Sequence, residues 1–159
     1  MADLDDIYHT RILELAASMP RTERLADPDA SASAHSKLCG STIDVDVKIS
    51  NGRVVDYGQT VKACLLGQAA ASVVGREIVG TPIDEFASVA ETMRRMLKEN
   101  GPPPGGRWAD LAVLEPVRDY KARHASTLLV FDALRKAIDQ TTGTDLMSVG
   151  HQSGAATGT

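Results

Sequence analysis

The sequence predicts an α+β fold, in which a short antiparallel sheet is covered by helices. The sheet is indicated between Thr42 and Ile49, where isoleucine and valine alternate with polar residues and place four apolar side chains on one face of a strand. Asn51-Gly52 follows and supplies the two positive φ angles of a type I′ hairpin turn, after which Arg53 to Gln59 returns along the first strand. The helices are indicated by apolar residues that recur every three or four positions.

Five segments have this helical spacing. The first runs from Leu4 to Met19 and is ended by Pro20, and another begins at Thr81-Pro82, where an N-cap precedes a proline in the first helical position. The other three are a small-residue helix from residue 65 to about 80, a short helix from Trp108 that stops near Pro116, and a nearly apolar helix from about 123 to 140. The last is predicted to be a central core element, because it is apolar on most sides.

The rest of the chain is predicted to lie at the surface. Residues 21–38 have no periodicity and are rich in Ser, Ala, Asp and Pro, and residues 100–107 form a loop of proline and glycine. Asp44 and Asp46 are assigned to the solvated face of the strand. Residues 1–140 are predicted to form one domain, and residues 141–159, rich in Gly, Ser and Thr, a flexible C-terminal tail.

Composition restricts the classes of function. A chain of 159 residues suits a single domain, and with 4% aromatic residues its core must be built from Ala, Val, Leu and Ile. A net charge of −4 without a basic run argues against nucleic acid as a partner. The acidic N-terminus and the absence of a long apolar run argue against a signal peptide and a membrane span, so a cytoplasmic protein is expected, with its cysteines as thiols.

The only two cysteines flank the predicted hairpin. Cys39 precedes the first strand and Cys64 follows the second, so the hairpin would bring them close together. Cys64 also begins a helix, where unpaired backbone N–H groups favour the thiolate, the form that binds metal or attacks sulfur. Residue types alone leave three possibilities open for the pair: inert core residues, metal ligands or groups for sulfur chemistry.

Three features together resemble the NifU/IscU/SufU family of iron–sulfur cluster assembly scaffolds. They are Cys39-Gly40 before the alternating strand, Lys-Ala-Cys-Leu-Leu-Gly-Gln-Ala-Ala-Ala-Ser at residues 62–72, and a terminal helix that starts near His124. The resemblance covers roughly residues 5–140, and the NGPPPGGRWADL insertion is most similar to the SufU branch. It implies a three-stranded antiparallel sheet covered by about five helices, and a protein that is not an enzyme.

The resemblance also implies a ligand set of three cysteines and one aspartate. Cys39 and Cys64 match the first two cysteines, and Ser41 stands where the aspartate is expected. Ala125, or after a shift of one residue Ser126, stands where the third cysteine is expected. Soft thiolates bind iron, zinc and bridging sulfide, whereas a hydroxyl is a poor ligand for these metals.

The predicted site therefore consists of Cys39, Cys64 and His124, which matches the histidine before the third cysteine in the IscU branch. It would bind iron or an iron–sulfur cluster, or alternatively zinc. A tetrahedral site needs about four donors, so the remaining ones would come from His35, Asp44, a small-molecule thiol or a second copy in a homodimer. The usual persulfide acceptor of the family, its third cysteine, is missing.

The resemblance implies a cysteine desulfurase and cluster-accepting proteins as partners. The leading hypothesis is a scaffold or carrier of iron–sulfur cluster assembly. A second hypothesis is a degenerate relative that binds no metal and acts as a protein-binding or regulatory subunit of the same machinery. A third is an accessory enzyme of sulfur transfer that uses zinc.

Overall fold

A computed structural model describes residues 10–37 and 40–142 of the chain. It confirms the α+β class, with a three-stranded antiparallel sheet in the order β1-β2-β3. The strands are β1 (Ala30–His35), β2 (Thr42–Ser50) and β3 (Arg53–Lys62). Cys39 and the predicted C-terminal tail from residue 143 onward lie outside the described residues.

Helices cover one face of the sheet. They are α1 (Thr10–Ala17), α2 (Leu65–Glu77), α3 (Ile83–Lys98) and α4 (His124–Thr142), with two 3₁₀ segments at Gly106–Asp119 and Lys121–Arg123. Pro116 lies inside the longer 3₁₀ segment instead of ending a helix. The N-cap of α3 is Pro82, whereas the sequence predicted Thr81. The hydroxyl of Thr81 instead donates to the carbonyl of Glu77 at the end of α2. None of the helices within the described ranges is both long and apolar enough to cross a membrane.

The β2–β3 hairpin forms as predicted. Asn51 and Gly52 have φ angles of 54° and 74°, the left-handed values that a type I′ turn requires. Ile43, Val45 and Val47 on β2 are fully buried on the face that packs against the helices. The alternation of the sequence therefore identified the inner face of the sheet correctly.

β1 corrects the prediction that residues 21–38 form only a surface segment. Residues 30–35, ASASAH, pair with β2 in antiparallel register from Ala30 opposite Val47 to His35 opposite Thr42. Ala30 and Ala34 are buried under α4, whereas Ser31 and Ser33 face outward. Alanine and serine have low strand propensity, so the alternation was too weak to predict a strand from the sequence.

Residues 21–29, called the strap here, cross the outer face of the sheet. The backbone N–H of Gln59 donates to the carbonyl of Arg21 (2.9 Å) on the edge strand β3. The backbone N–H of Asp29 donates to the carbonyl of Val47 (2.8 Å) on the central strand β2. Between them, Arg24 forms an ion pair with Asp46 (2.7 Å). The prediction that Asp46 is solvated was wrong, because the strap buries its side chain to 1% exposure.

The core lies between the sheet and the helices. α4 packs across β1 and β2, and α2 packs against both α1 and α4. Aliphatic side chains dominate this core, as the composition predicted, but rings also contribute. Phe86 stacks on Phe131 with ring centroids 5.9 Å apart, and Trp108 contacts Phe86 at 6.3 Å.

Candidate functional site

One end of the sheet gathers side chains from three elements. The pairing of Thr42 with Lys62 places the start of β2 beside the end of β3. Ser41 directly precedes β2, and Cys64 is the N-cap of α2, its carbonyl accepting a hydrogen bond from the amide of Gln68 (2.9 Å). The prediction that Cys64 begins a helix is confirmed. The first turn of α4 reaches the same point with Ser126.

The three side chains are in contact. Sγ of Cys64 lies 2.9 Å from Oγ of Ser126, which lies 3.4 Å from Oγ of Ser41. Ser126 and Ser41 are buried, at 0% and 3% exposure, whereas Cys64 is half-buried. Cys64 stands where the resemblance implies the second cysteine, and Ser41 where it implies the aspartate. Of the two residues left open for the third cysteine, Ser126 is buried beside Cys64 and Ala125 is exposed.

A glycine allows α2 and α4 to approach at this point. A Cβ on Gly67 would lie 3.0 Å from the carbonyl oxygen of Ser126, 3.2 Å from its Oγ and 2.9 Å from Cβ of Ala63. These separations are shorter than normal van der Waals contacts. The absence of a side chain at Gly67 thus brings Ser126 within reach of Cys64.

Replacing Gly67 by alanine is expected to displace the first turn of α4 and to separate Ser126 from Cys64. Overpacking of this kind costs about 1–3 kcal/mol, partly offset by the higher helix propensity of alanine. We expect a net loss of about 1 kcal/mol in denaturant unfolding and faster alkylation of Cys64 in the folded protein. Gly105→Ala is the control, because a Cβ there meets no atom within 4 Å among the described residues, apart from its chain neighbours. Unchanged alkylation in Gly67→Ala would contradict the proposed close packing.

His124 lies at the start of α4, and its ring is turned toward the backbone. Nε2 lies 3.1 Å from both the carbonyl of Val117 and the carbonyl of Arg118, and the residue is 6% exposed. Carbonyl oxygens only accept hydrogen bonds, so Nε2 carries the proton. Nδ1 is then the ring nitrogen left for a metal, as the alternative tautomer would lose both contacts.

The other predicted donors occupy different places. His35 is exposed at the end of β1. Asp44 accepts a hydrogen bond from the hydroxyl of Ser33, and it faces away from the helices because it alternates with Ile43 on β2. Within residues 10–37 and 40–142, no group of three or more His, Cys, Asp or Glu side chains is arranged to hold a metal ion. The described part of the chain thus contributes to the candidate site one thiol, that of Cys64, and the two hydroxyls of Ser41 and Ser126.

The connection that contains Cys39 is closed at its base. The amide of Ser36 donates to the carbonyl of Ser41, and the amide of Gly40 donates to the carbonyl of Ser36, each at 2.9 Å. Gly40 has a φ angle of 72°, a conformation that favours glycine. Cys39 itself lies outside the described residues, so its distance from Cys64 stays a prediction. The cysteine-glycine dipeptide places the positive φ angle immediately before Ser41.

Sequence reasoning missed the contact between Ser126 and Cys64. It left Ala125 and Ser126 as alternatives, and it gave Ser41 only as the residue that stands where the aspartate is expected. The helical phase of α4 was a usable signal: Ser126 shares the buried face with Leu129 and Val130, whereas Ala125 does not. A buried polar residue at the start of an apolar helix is a reason to look for a partner across the helix interface.

Comparison with known proteins places the chain in a family. The iron-sulfur cluster assembly scaffold protein IscU of Thermotoga maritima is 26% identical over 133 residues, which are 83% of this chain and 92% of that protein. The crystal structure of a nitrogen-fixing NifU-like protein (N-terminal) from Brucella abortus is 55% identical, with a TM-score of 0.87, and covers 89% of this chain and 99% of that one. This chain belongs to the NifU/IscU/SufU family.

The family assignment agrees with the fold of a more distant SufU. The iron-sulfur cluster assembly scaffold protein for the SUF system from Fervidobacterium islandicum AW-1 has a TM-score of 0.78 over 86% of this chain and 99% of its own, at 16% identity. No protein-family model matches the chain. The resemblance drawn from the cysteine motifs is confirmed, as is the NifU/IscU-like fold.

Proposed function

We propose that this chain is a scaffold or carrier in iron–sulfur cluster assembly and that it acts without catalytic turnover of its own. The observation that carries the proposal is the meeting of Ser41, Cys64 and Ser126 at one end of the sheet. It supports a site at the family's ligand positions, in a chain related to NifU-like and IscU proteins. Iron or an iron–sulfur cluster is the cargo of this site.

The proposed ligands are Cys39, Cys64 and Nδ1 of His124. Cys39 directly precedes Gly40 in the closed connection before β2. Two thiolates and one imidazole leave about one coordination position of a tetrahedral site for another donor. A small-molecule thiol, or a cysteine of a second copy in a homodimer, would supply it. A site completed from outside would also release its cargo readily, which suits transfer to an accepting protein.

A cysteine desulfurase and cluster-accepting proteins are the proposed partners. The setting is the cytoplasm, where thiols stay reduced. Sulfur transfer would have to use Cys39 or Cys64, because the position of the family's third cysteine holds Ser126.

Anaerobic reconstitution with ferrous iron and sulfide tests the proposal. We expect the wild type to develop visible charge-transfer bands and to retain iron through gel filtration. Cys64→Ala and Cys39→Ala should each lower the retained iron at least about tenfold, since even the loss of groups that orient metal ligands costs about 10–100-fold in affinity. Thr127→Val, which removes a buried hydroxyl on the same helix, is the control for folding and handling.

The same experiment tests the ligand set further. Ser126→Cys, which places a second thiol beside the sulfur of Cys64, should increase retained iron, and His124→Asn should decrease it. Metal analysis of the protein as purified distinguishes zinc from iron as the occupant.

The second candidate is a protein-binding or regulatory subunit of the same machinery. It is favoured by the two serines that stand where an aspartate and a cysteine ligand are expected. If folded wild-type protein retains no more iron or zinc than a Cys39→Ala, Cys64→Ala double variant, the scaffold proposal fails and this candidate remains. Co-purification with the desulfurase would then identify the partner.

A further inference from the structure

The hydroxyl of Ser126 is directed at the candidate ligand and not at its own helix. Serine and threonine in helices commonly donate to the carbonyl four residues earlier, and the neighbouring Thr127 does so, to Arg123 at 2.8 Å. Oγ of Ser126 instead has Sγ of Cys64 at 2.9 Å and Oγ of Ser41 at 3.4 Å. Of these two adjacent buried hydroxyls, that of Thr127 bonds to the backbone just before it, whereas that of Ser126 contacts side chains of other elements.

The donor directions in this row of three groups follow from the chemistry of sulfur. A thiolate has no proton and can only accept hydrogen bonds. When Cys64 is ionised or binds metal, Ser126 must therefore donate to it. The lone pairs of Ser126 are then free to accept from Ser41. The 2.9 Å separation between Oγ of Ser126 and Sγ of Cys64 is within hydrogen-bond distance for either direction of donation.

The surroundings of the two serines leave little access for competing water. Ser126 is 0% exposed and Ser41 3% exposed. Ser36 continues the β1–β2 register opposite Ser41, as the 2.9 Å hydrogen bond between its amide and the Ser41 carbonyl indicates. Its side chain is therefore on the same face of the sheet, and its Oγ is buried with no hydrogen-bond partner among residues 10–37 and 40–142. The sulfur thus meets the hydroxyl of Ser126, which has the hydroxyl of Ser41 behind it.

We propose that Ser126, with Ser41 behind it, is a positioning residue for Cys64. It holds Sγ in one rotamer through the hydrogen bond between the two side chains, and Ser126 is the donor in that bond whenever the sulfur is deprotonated or binds metal. A donor of this kind withdraws electron density from a metal-bound thiolate and adjusts the energy of the bound cluster. The effect on a bound metal rests on the proposed function, whereas the hydrogen bond itself exists in the metal-free protein.

The first test uses the metal-free protein in a Cys39→Ser background, where Cys64 is the single thiol. The thiol form of Cys64 is observed through the Raman band of its S–H stretch, which reports the hydrogen bonding and the rotamer of the sulfur. We expect Ser126→Ala to shift and broaden the band, because the sulfur loses its partner and samples several χ1 rotamers. Ser41→Ala should shift it less, and Thr127→Val should leave it unchanged. An unmoved band in Ser126→Ala, or an equal shift in Thr127→Val, overturns the proposal.

The second test uses cobalt(II) as the bound metal, in chains with both cysteines. Loss of a hydrogen bond to the thiolate raises the energy of the sulfur electrons, so the sulfur-to-cobalt charge-transfer band of Ser126→Ala should move to longer wavelength than that of the wild type. Bound cobalt with an unmoved band overturns the effect on the metal. If cobalt does not bind although the Raman band of the metal-free protein shifts, the proposed function fails and the positioning role of Ser126 stands.

Discussion

Replacing Gly58 by alanine is expected to lower the free energy of unfolding by about 3 kcal/mol. Gly58 lies on the outer face of β3, directly beneath the strap, and a Cβ there would lie 2.2 Å from the carbonyl oxygen of Glu23. The clashing atom belongs to the backbone, so no side-chain rotation relieves it. The strap would have to lift from the sheet, which would also stretch the ion pair between Arg24 and Asp46.

Urea unfolding of Gly58→Ala beside Gly105→Ala measures this cost. Both variants add one methyl group to a glycine, but in the part of the chain that the structure describes a Cβ at Gly105 has only its chain neighbours within 4 Å. The comparison therefore separates the clash from the general effect of losing a glycine on the unfolded chain. A Gly58→Ala variant as stable as Gly105→Ala would show that the strap is not packed on the sheet.

The second large effect is expected at Asp46, the carboxylate that holds the strap. Arg24 donates to it through Nε (2.7 Å) and Nη2 (2.8 Å), and the amide of Leu25 (3.0 Å) and the hydroxyl of Ser31 donate as well. Asp46→Ala leaves these donors without their acceptor under the strap. We expect a loss of about 2 kcal/mol in urea unfolding, because hydrogen bonds to a charged group contribute about 1.5–3 kcal/mol, while the partly exposed donors can bind water instead. Asp44→Ala, on the same strand and face but only half-buried, should cost less than about 1 kcal/mol.

Asp46 also predicts how stability depends on pH. Its hydrogen bonds from Arg24, followed by those from Ser31 and Leu25, lower the pKa of the carboxyl from 3.8 to about 2 against the opposing effect of burial. A lowered pKa in the folded state means that the contribution is complete above pH 3.8 and is lost as the pH falls toward 2. The shift corresponds to about 2 kcal/mol, to order of magnitude.

Comparison with Asp46→Asn at each pH isolates the contribution of this carboxylate from that of the other acidic groups, which both proteins share. The difference in unfolding free energy between the wild type and Asp46→Asn should therefore shrink over this pH interval. A constant difference would mean that the ionised carboxylate does not hold the strap.

The two misjudged parts of the sheet have one physical origin. Alternation assigns residues to a face, but it does not say what covers that face, so Asp46 was assigned to solvent although the strap buries it. The strap itself has no periodicity because it is held by backbone hydrogen bonds and by the ion pairs of Arg21 with Asp56 and of Arg24 with Asp46. β1 was not predicted because alanine and serine are weakly hydrophobic and have low strand propensity. Both features depend on contacts made across the sheet.

At the candidate site too, neighbouring residues predict some features and contacts between distant residues decide the others. The position of Cys64 at a helix start follows from residues next to it in the chain. Its contact with Ser126 joins residues 62 positions apart, and the contact of Ser126 with Ser41 joins residues 85 positions apart. Neither contact is recorded in a local pattern.

The amino-acid sequence by itself determined the hairpin, the helix that begins at Cys64, the apolar α4 and the family of the chain, because these depend on neighbouring residues and short motifs. Tertiary structure alone decided that Ser126, and not Ala125, contacts Cys64, that the ring of His124 is turned to backbone carbonyls and that Asp46 anchors the strap. Strand register and the close approach of two helices at Gly67 bring these groups together, and both arise only when distant segments pack.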